Sequence, residues 1–339
     1  MFQLKHVLIV ALQLYSTTKL VTSVAVLQLV DRGLLDLDDG SLIETKLPEL
    51  WAQDIVAFAD ENEDTQPTFT KRTKPITLRQ LLTHTSGLSY MFNAPEIARW
   101  EKSIGRKDGI WAGTVEGFTQ PLIFEPGTRW WYSIGIDWAG ILVERVSGQR
   151  LEEYFREHIF EPLGIKHLTF IPTSDVQARL QQVCERGADG KLQHCEGMRS
   201  TSNPNLGQYS GGGGLFGTAR DYLRFLRGIL ASGAGAQGAI LSQKAFKELF
   251  TNSLPARDGS NTVHADIAAM AKRQTYHDPA HVNNDAQYLE HSVGLVLNTR
   301  DSVNGRRAGS GCWDGAAKTQ YWLDPTTGVA VSSYSDWAD

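Results

Sequence analysis

The stretch Ser16-Thr17-Thr18-Lys19, standing at the head of an apolar-periodic run that ends at Gly33, governs the reading of this chain. From Ser16 to Arg32 the residues Leu20, Val21, Val24, Leu27 and Val30 recur at helical intervals before that glycine, which predicts an amphipathic helix with its stop. A spacing of three puts Lys19 beside Ser16 on one helix face. A serine hydroxyl is a poor nucleophile at neutral pH and needs a neighbour to take its proton. A lysine partly surrounded by protein has a lowered pKa, and the amide dipoles of a helix start favour a developing oxyanion. The arrangement suits acyl transfer. About one S-x-x-K is expected by chance among this many serines and lysines, so a plainer alternative stays open on these residues alone: Ser16 as an N-cap and Lys19 as a solvated charge.

The surrounding 339 residues narrow the field. Hydrophobic residues at 41% and charged residues at 21% describe an ordinary folded chain and exclude a disordered or collagen-like one. A net charge of -5 with interspersed signs offers no basic stripe for a phosphate backbone, so nucleic-acid binding is set aside. The three cysteines, Cys184, Cys195 and Cys312, make neither a disulfide framework nor a CxxC pair. No apolar run is long enough to span a bilayer. Lys5 followed by Val7 to Leu14 resembles a short signal peptide without a cleavage site, so a cytoplasmic location is expected ahead of secretion.

Along the chain, residues 34 to 75 read as loops around one short helix near Leu47 to Phe58. Thr77 with Gln80 forms a capping box opening a helix that runs into the turn His84-Thr85-Ser86-Gly87. Further helices are predicted near 95 to 103, at 136 to 146, at 151 to 160, after Thr218 and after Ser242. The end reads as strands at His291 to Leu297, Arg306 to Cys312, Lys318 to Leu323 and Val329 to Tyr334, with Asp324 to Gly328 as the last turn. Strands so close in sequence are antiparallel neighbours. The fold class that follows is α+β: an antiparallel β-sheet flanked by helices with a large helical insertion.

Several catalytic signatures are absent, including HExxH, the nucleotide P-loop and GxSxG. The glycines 211 to 214 have no lysine partner for a phosphate cradle and read instead as a close backbone approach. The nine histidines lack metal-ligand spacing, and His84 reads as a structural hydrogen-bonding residue in its turn.

Taken together, Ser16-x-x-Lys19, Val26 to Asp39 (VLQLVDRGLLDLDD) and Ile76 to Leu88 (ITLRQLLTHTSGL) closely resemble the serine β-lactamase-related family. That family includes class C β-lactamases, penicillin-binding DD-peptidases, esterases of the same fold, and acyltransferases of statin-type polyketide biosynthesis. The resemblance continues through Glu125-Pro126-Gly127, Tyr132-Ser133, Glu161 to Ile165, Gly212 to Phe216, Thr218 to Tyr222 and Trp322 to Pro325. It spans nearly the whole chain in order. It implies a β-lactamase/transpeptidase-like fold and one catalytic domain over residues 1–339, with an α/β part (1–45 plus 205–339) and a helix-rich part (46–204).

The resemblance also implies roles. Ser16 matches the acylated nucleophile, Lys19 its proton-transfer partner, and Tyr132 the tyrosine of a Tyr-x-Asn motif, a base if two cations lower its pKa. Ile134 stands where the asparagine belongs, and Trp313-Asp314-Gly315 where the family has Lys-Thr-Gly or His-x-Gly, just before a strand expected to form the cleft's edge. Ile134 and Trp313 are the expected substrate-binding positions. Losing the amide and the cation disfavours β-lactams and favours esters or thioesters. Backbone N–H groups of Ser16 and of Gly315 or Ala316 would form the oxyanion hole. Trp130 and Trp131 are expected to shape the pocket or pack in the core, and Cys312 to be inert.

The function implied is serine-dependent acyl transfer, esterase or transesterase, possible in secondary metabolism. The alternatives are a β-lactamase or DD-peptidase-like amide hydrolase, or a silent family member acting as a binding protein. No cofactor and no metal are implied. The expected partners are a small-molecule acyl donor and acceptor, including a carrier-bound thioester. Relatives carry residues before S-x-x-K and a helix after the last strand, so the chain is expected to be truncated at both ends, with unpaired sheet edges and an uncovered face at Val329, Val331 and Tyr334.

Overall fold

The computed structural model describes residues 10–62, 65–194, 206–271, 288–302, 305–334 and 337–338. Residues 1–9 of the signal-like opening lie outside these. Strand β1 (Ala11–Gln13) pairs antiparallel with β2 (Phe216–Thr218), Gln13 opposite Phe216. Between β1 and the first long helix, Tyr15 takes a φ of 45°, a left-handed value that is uncommon for a bulky residue and marks local strain. The chain turns there through the short 3-10 segment Tyr15–Thr17 into α1 (Thr18–Asp31).

Helix α1 differs from the amphipathic helix predicted. Every residue from Thr18 to Leu29 is buried, because α1 is the central helix and is packed on all sides. Two of its polar side chains find partners inside: Thr22 Oγ1 donates to the Gly211 carbonyl at 2.7 Å, and Gln28 Nε2 to the carbonyls of His158 and Ile240, each at 2.9 Å. Helix α2 (Leu78–Leu82), opened by the Thr77–Gln80 capping box, and helix α3 (Gly135–Ser147) pack together, and α3 also packs on α1. Helix α4 (Ala219–Gly233) is capped by Thr218, whose hydroxyl accepts from the Asp221 N–H. Where one short helix was predicted near 47 to 58, there are helices Gly40–Lys46 and Pro48–Trp51 and then a strand, Ile55–Ala57. Asp39 caps the first and Pro48 starts the second.

The main sheet has five antiparallel strands: β3 (Leu289–His291), β4 (Val296–Asn298), β5 (Gly311–Gly315), β6 (Thr319–Asp324) and β7 (Val329–Ser333), in the order β7-β6-β5-β4-β3. The predicted strand His291 to Leu297 is a hairpin, since Ser292 N–H donates to the Leu295 carbonyl and reverses the chain. The predicted strand ending at Cys312 starts and ends later, so Trp313 lies within β5, at the sheet's centre. Neither β5 nor β6 is the edge strand expected to line the cleft; Lys318 sits in the turn between them with φ 57°. Strand β7 packs against α4, with Ala330 and Tyr334 against the core, while Val329, on the face expected to be uncovered, is 42% exposed. One apolar cluster runs from Leu12 through α1, α2 and α3 to Leu323 and joins helices to sheet. Among the described residues no helix is long and apolar enough to cross a membrane.

Candidate active site

The turn at Tyr15–Thr17 packs against the end of β5. Its position is held from below by Tyr222 of α4, whose hydroxyl donates to the Thr17 carbonyl at 2.8 Å. Ser16 is half-exposed there, while Lys19, one turn on, is buried beneath it. Lys19 Nζ reaches three acceptors: the Gly212 carbonyl at 2.7 Å, Tyr90 Oη at 3.0 Å and Ser16 Oγ at 3.3 Å. Burial lowers its pKa to about 8, with Asp137 and Asp314 pulling the other way.

Tyr132 arrives from a loop. Its Oη lies 2.5 Å from Ser16 Oγ, and Lys19 Nζ stands 4.7 Å from its ring centroid. The loop is clamped by the turn at His84, which takes a φ of 59°. The His84 carbonyl accepts from Trp131 N–H at 2.9 Å, and its Nδ1 accepts from Ser133 N–H at 3.2 Å. His84 therefore holds the segment carrying Tyr132, a structural role. Burial keeps it neutral, with its pKa well below the ordinary histidine value.

The ionisation expected of Tyr132 is not what its surroundings favour. Burial pushes its pKa up, and the carboxylates of Asp314 and Asp137 push the same way, against the opposing effect of the Ser16 and Trp313 side chains. Two cations were expected to do the reverse, but the second is missing where Trp313 replaces lysine. Tyr132 is thus a phenol, suited to donating or relaying a proton rather than to starting as a phenolate.

Four further residues complete the site. Tyr90 Oη accepts from Lys19 and donates to Asp137 Oδ2 at 3.2 Å. Asp137 Oδ1 in turn accepts from Gly212 N–H at 3.0 Å and from Ser210 Oγ at 2.5 Å. The glycine run makes this cradle possible: a Cβ on Gly212 would lie 2.4 Å from Asp137 Oδ2. Sequence reading anticipated the close approach of these glycines but not its purpose, and missed Tyr90, Asp137 and Ser210 altogether. The available signal was Tyr90, two residues past the Thr85 to Leu88 motif.

Gly315 ends β5 beside Ser16. A Cβ there would meet Thr319 Oγ1 at 2.3 Å and the Leu14 carbonyl at 2.5 Å, and would stand 3.4 Å from the Ser16 nitrogen. The backbones of Ser16 and the Gly315–Ala316 turn are thereby brought together, a geometry that can converge two N–H groups on one oxygen. Trp313 is buried, its ring 5.4 Å from that of Tyr132 and 5.9 Å from that of His291. Ile134, expected at a substrate-binding position, is fully buried in the apolar core at the head of α3. Trp130 is core and Trp131 is half-exposed under Arg129, while Cys312 is buried with its thiol pKa raised.

A half-exposed serine thus stands over a buried lysine of lowered pKa, with a tyrosine hydroxyl touching the serine. The Beta-lactamase family model matches residues 11–338. The chain belongs to the beta-lactamase family. Within this family it is 39% identical over 266 residues to the lovastatin esterase of Penicillium rubens, covering 77% of this chain and 63% of the esterase. The chain thus spans less than two thirds of that relative. It is 30% identical over 333 residues to the monacolin J acid methylbutanoyltransferase of Aspergillus terreus, covering 95% of this chain and 76% of the transferase. A mutant of simvastatin synthase (LovD) from Aspergillus terreus superposes with a TM-score of 0.82 at 30% identity, over 97% of this chain and 76% of that one. A penicillin-binding protein from Bacillus halodurans, at a TM-score of 0.65 and 17% identity over 97% of this chain and 83% of its own, shares the beta-lactamase/transpeptidase-like fold.

Proposed function

We propose that this protein is a serine acyl-enzyme esterase or transesterase, with Ser16 as nucleophile, Lys19 as the base and Tyr132 as the proton relay to the leaving group. One observation carries the reading: of the three groups around Lys19 Nζ, only Ser16 has a proton to give. The Gly212 carbonyl can only accept, and the Tyr90 proton is committed to Asp137. A neutral Lys19 directs its two N–H bonds at those acceptors and its lone pair at Ser16 Oγ.

The Ser16 oxygen attacks the ester carbonyl as its proton passes to Lys19, and the carbonyl oxygen becomes an oxyanion held by the backbone N–H groups of Ser16 and of Gly315 or Ala316. The C–O bond to the alcohol breaks as Tyr132 delivers a proton to the leaving oxygen and is reprotonated from Lys19. The acyl group then passes from Ser16 to water or to a second alcohol by the same steps in reverse.

The esterase and methylbutanoyltransferase relatives support esters with short branched acyl groups as substrates, in secondary metabolism, and transfer between a small-molecule or carrier-bound donor and a small-molecule acceptor. The free thiols Cys184 and Cys312 fit a cytoplasmic location. The division of residues 1–339 into an α/β part and a helix-rich part belongs to the same proposal.

The test is labelling with a fluorophosphonate, read by intact mass. A single adduct on the native protein and none on Ser16→Ala is the expected result; an adduct on Ser16→Ala, or none on the native protein, rejects the assignment. An aryl butyrate should be turned over much faster than a chromogenic cephalosporin, and the opposite preference would make the protein a β-lactamase.

A further inference from the structure

The segment that carries Tyr132 is gripped from outside at four consecutive residues. The N–H groups of Trp131 and Ser133 go to His84, and the Tyr132 carbonyl accepts from Asn93 Nδ2 at 3.2 Å. At the fourth, Trp130, the N–H donates to Asp266 Oδ2 at 3.2 Å, across 136 residues of chain. The same oxygen accepts from Thr262 Oγ1 at 2.8 Å and lies 3.5 Å from Arg129 Nε. A parallel link runs from the Thr262 N–H to the Thr128 carbonyl at 2.9 Å, and the Arg129 guanidinium stands 5.3 Å from the Trp131 ring centroid. Asp266 therefore holds the entry to the Tyr132 segment by backbone and side chain at once.

Its support is rigid. Asp266 belongs to helix α5 (Val263–Ala271), whose Val263 and Ile267 are fully buried. His264 Nε2 donates to the Pro255 carbonyl at 2.9 Å, its Nδ1 stands 3.3 Å from Glu290 Oε2, and Arg257 donates to Glu290 Oε1 at 2.9 Å. Glu290 lies in β3, so α5 is tied to the main sheet. The chain of contacts runs from the sheet through α5 to the residues just before the tyrosine whose hydroxyl lies 2.5 Å from Ser16 Oγ. His84 fixes residues 131 and 133; without a hold on Trp130 the segment can pivot about those points and carry the phenol out of line. A displacement of about 1 Å at a reacting group can cost a step about 100-fold.

We propose that Asp266 is a positioning residue for acyl transfer, keeping the Tyr132 hydroxyl in reach of Ser16 and the leaving oxygen through its grip on Trp130 and Arg129. The proposal rests on the acyl-transfer reading above. Asp266 acts through Tyr132 and not on the substrate, so its loss enters kcat and leaves KM.

The experiment measures acylation of the full chain by an aryl butyrate with rapid mixing. Asp266→Ala should lower the acylation rate by about ten- to 100-fold with KM little changed, and Asp266→Asn, which keeps a side-chain oxygen for the Trp130 N–H, should restore most of it. The deciding arm repeats Asp266→Ala in the Tyr132→Phe protein. With no hydroxyl left to misplace, the second change should alter the remaining rate by no more than about two-fold. A general loosening of the fold would instead lower the rate equally in both backgrounds, and that result overturns the proposal, as does a native acylation rate in Asp266→Ala or failure of Asp266→Asn to rescue in a protein that melts cooperatively. If Asp266→Ala does not fold, Thr262→Val, which removes only the hydroxyl that donates to the carboxylate, enters the same cycle under the same criterion. Fluorophosphonate labelling separates the two levels: a native protein that does not label rejects the acyl-transfer reading itself, whereas one that labels while the two losses simply add rejects only the role of Asp266.

Discussion

Lys19 Nζ donates to the Gly212 carbonyl oxygen at 2.7 Å, and this contact, with Tyr90, decides which way the amine's lone pair points. The partner lies 193 residues away in sequence. A cationic amine would spend a third N–H bond on Ser16, so proton acceptance requires the neutral form. The predictions concern that form and the scaffold around it.

Activity should rise with pH. Burial lowers the Lys19 pKa to about 8, so kcat/KM is low where the amine is charged, half-maximal near that pH and flat above it. A profile of aryl butyrate hydrolysis from pH 6 to 10 measures this; a rate independent of pH across that range would remove Lys19 as the base. Lys19→Ala should lower kcat by roughly 100-fold or more, the scale of general-base catalysis.

Tyr132→Phe removes the hydroxyl 2.5 Å from Ser16 but keeps the ring against Trp313. It should cut the acylation rate by roughly 100-fold with substrate binding and the thermal melt little changed. Rapid-mixing detection of the acyl-enzyme checks it, and native acylation in this variant would reassign the relay.

Asp137→Asn should move the acid limb of the pH profile to lower pH. The carboxylate raises the Lys19 pKa against burial, so removing its charge deepens the depression and the amine becomes neutral earlier. A limb that moves to higher pH would contradict the electrostatic assignment. The thermal midpoint should also fall, since Ser210, Gly212 and Tyr90 all donate to this carboxylate.

Gly315→Ala forces a methyl group toward Thr319 Oγ1 and the Leu14 carbonyl. Overpacking of this kind costs about 1–3 kcal/mol, and it should separate the backbone groups beside Ser16, lowering kcat more than it raises KM. Equal kcat in a variant with a lowered melting temperature would show that the oxyanion is held elsewhere.

Acid should destabilise the fold through His84 and His291. Burial holds both neutral, His291 with a pKa lowered to about 4. Between the unfolded value near 6.5 and that folded value the unfolded chain binds more protons, so stability falls as pH drops through this window and the slope flattens below it. For His291 the full effect is on the order of 3 kcal/mol, from a shift of about 2.5 pH units. Denaturant melts at pH 7 and pH 4.5 should show a smaller difference in His291→Gln than in the native protein; an equal difference would place the acid sensitivity in other groups.

What the sequence by itself determined is what short-range rules encode. A three-residue spacing put Lys19 under Ser16, hydroxyls at Thr77, Thr218 and Ser242 marked helix starts that the structure caps as read, and alternating apolar residues marked the region of the final strands. The collinear motifs carried the family. Tertiary structure decided the rest, because the deciding contacts join residues far apart. The amphipathic reading of α1 failed since its polar positions, Thr22 and Gln28, find their acceptors 189, 130 and 212 residues away and need no water. Tyr90 and Asp137 carry no local signature of a cradle; they become one only where α3, the turn after Leu88 and the glycine run meet around Lys19. The ionisation of Tyr132 likewise follows from burial and from charges brought in by α3 and β5, which no spacing along the chain records.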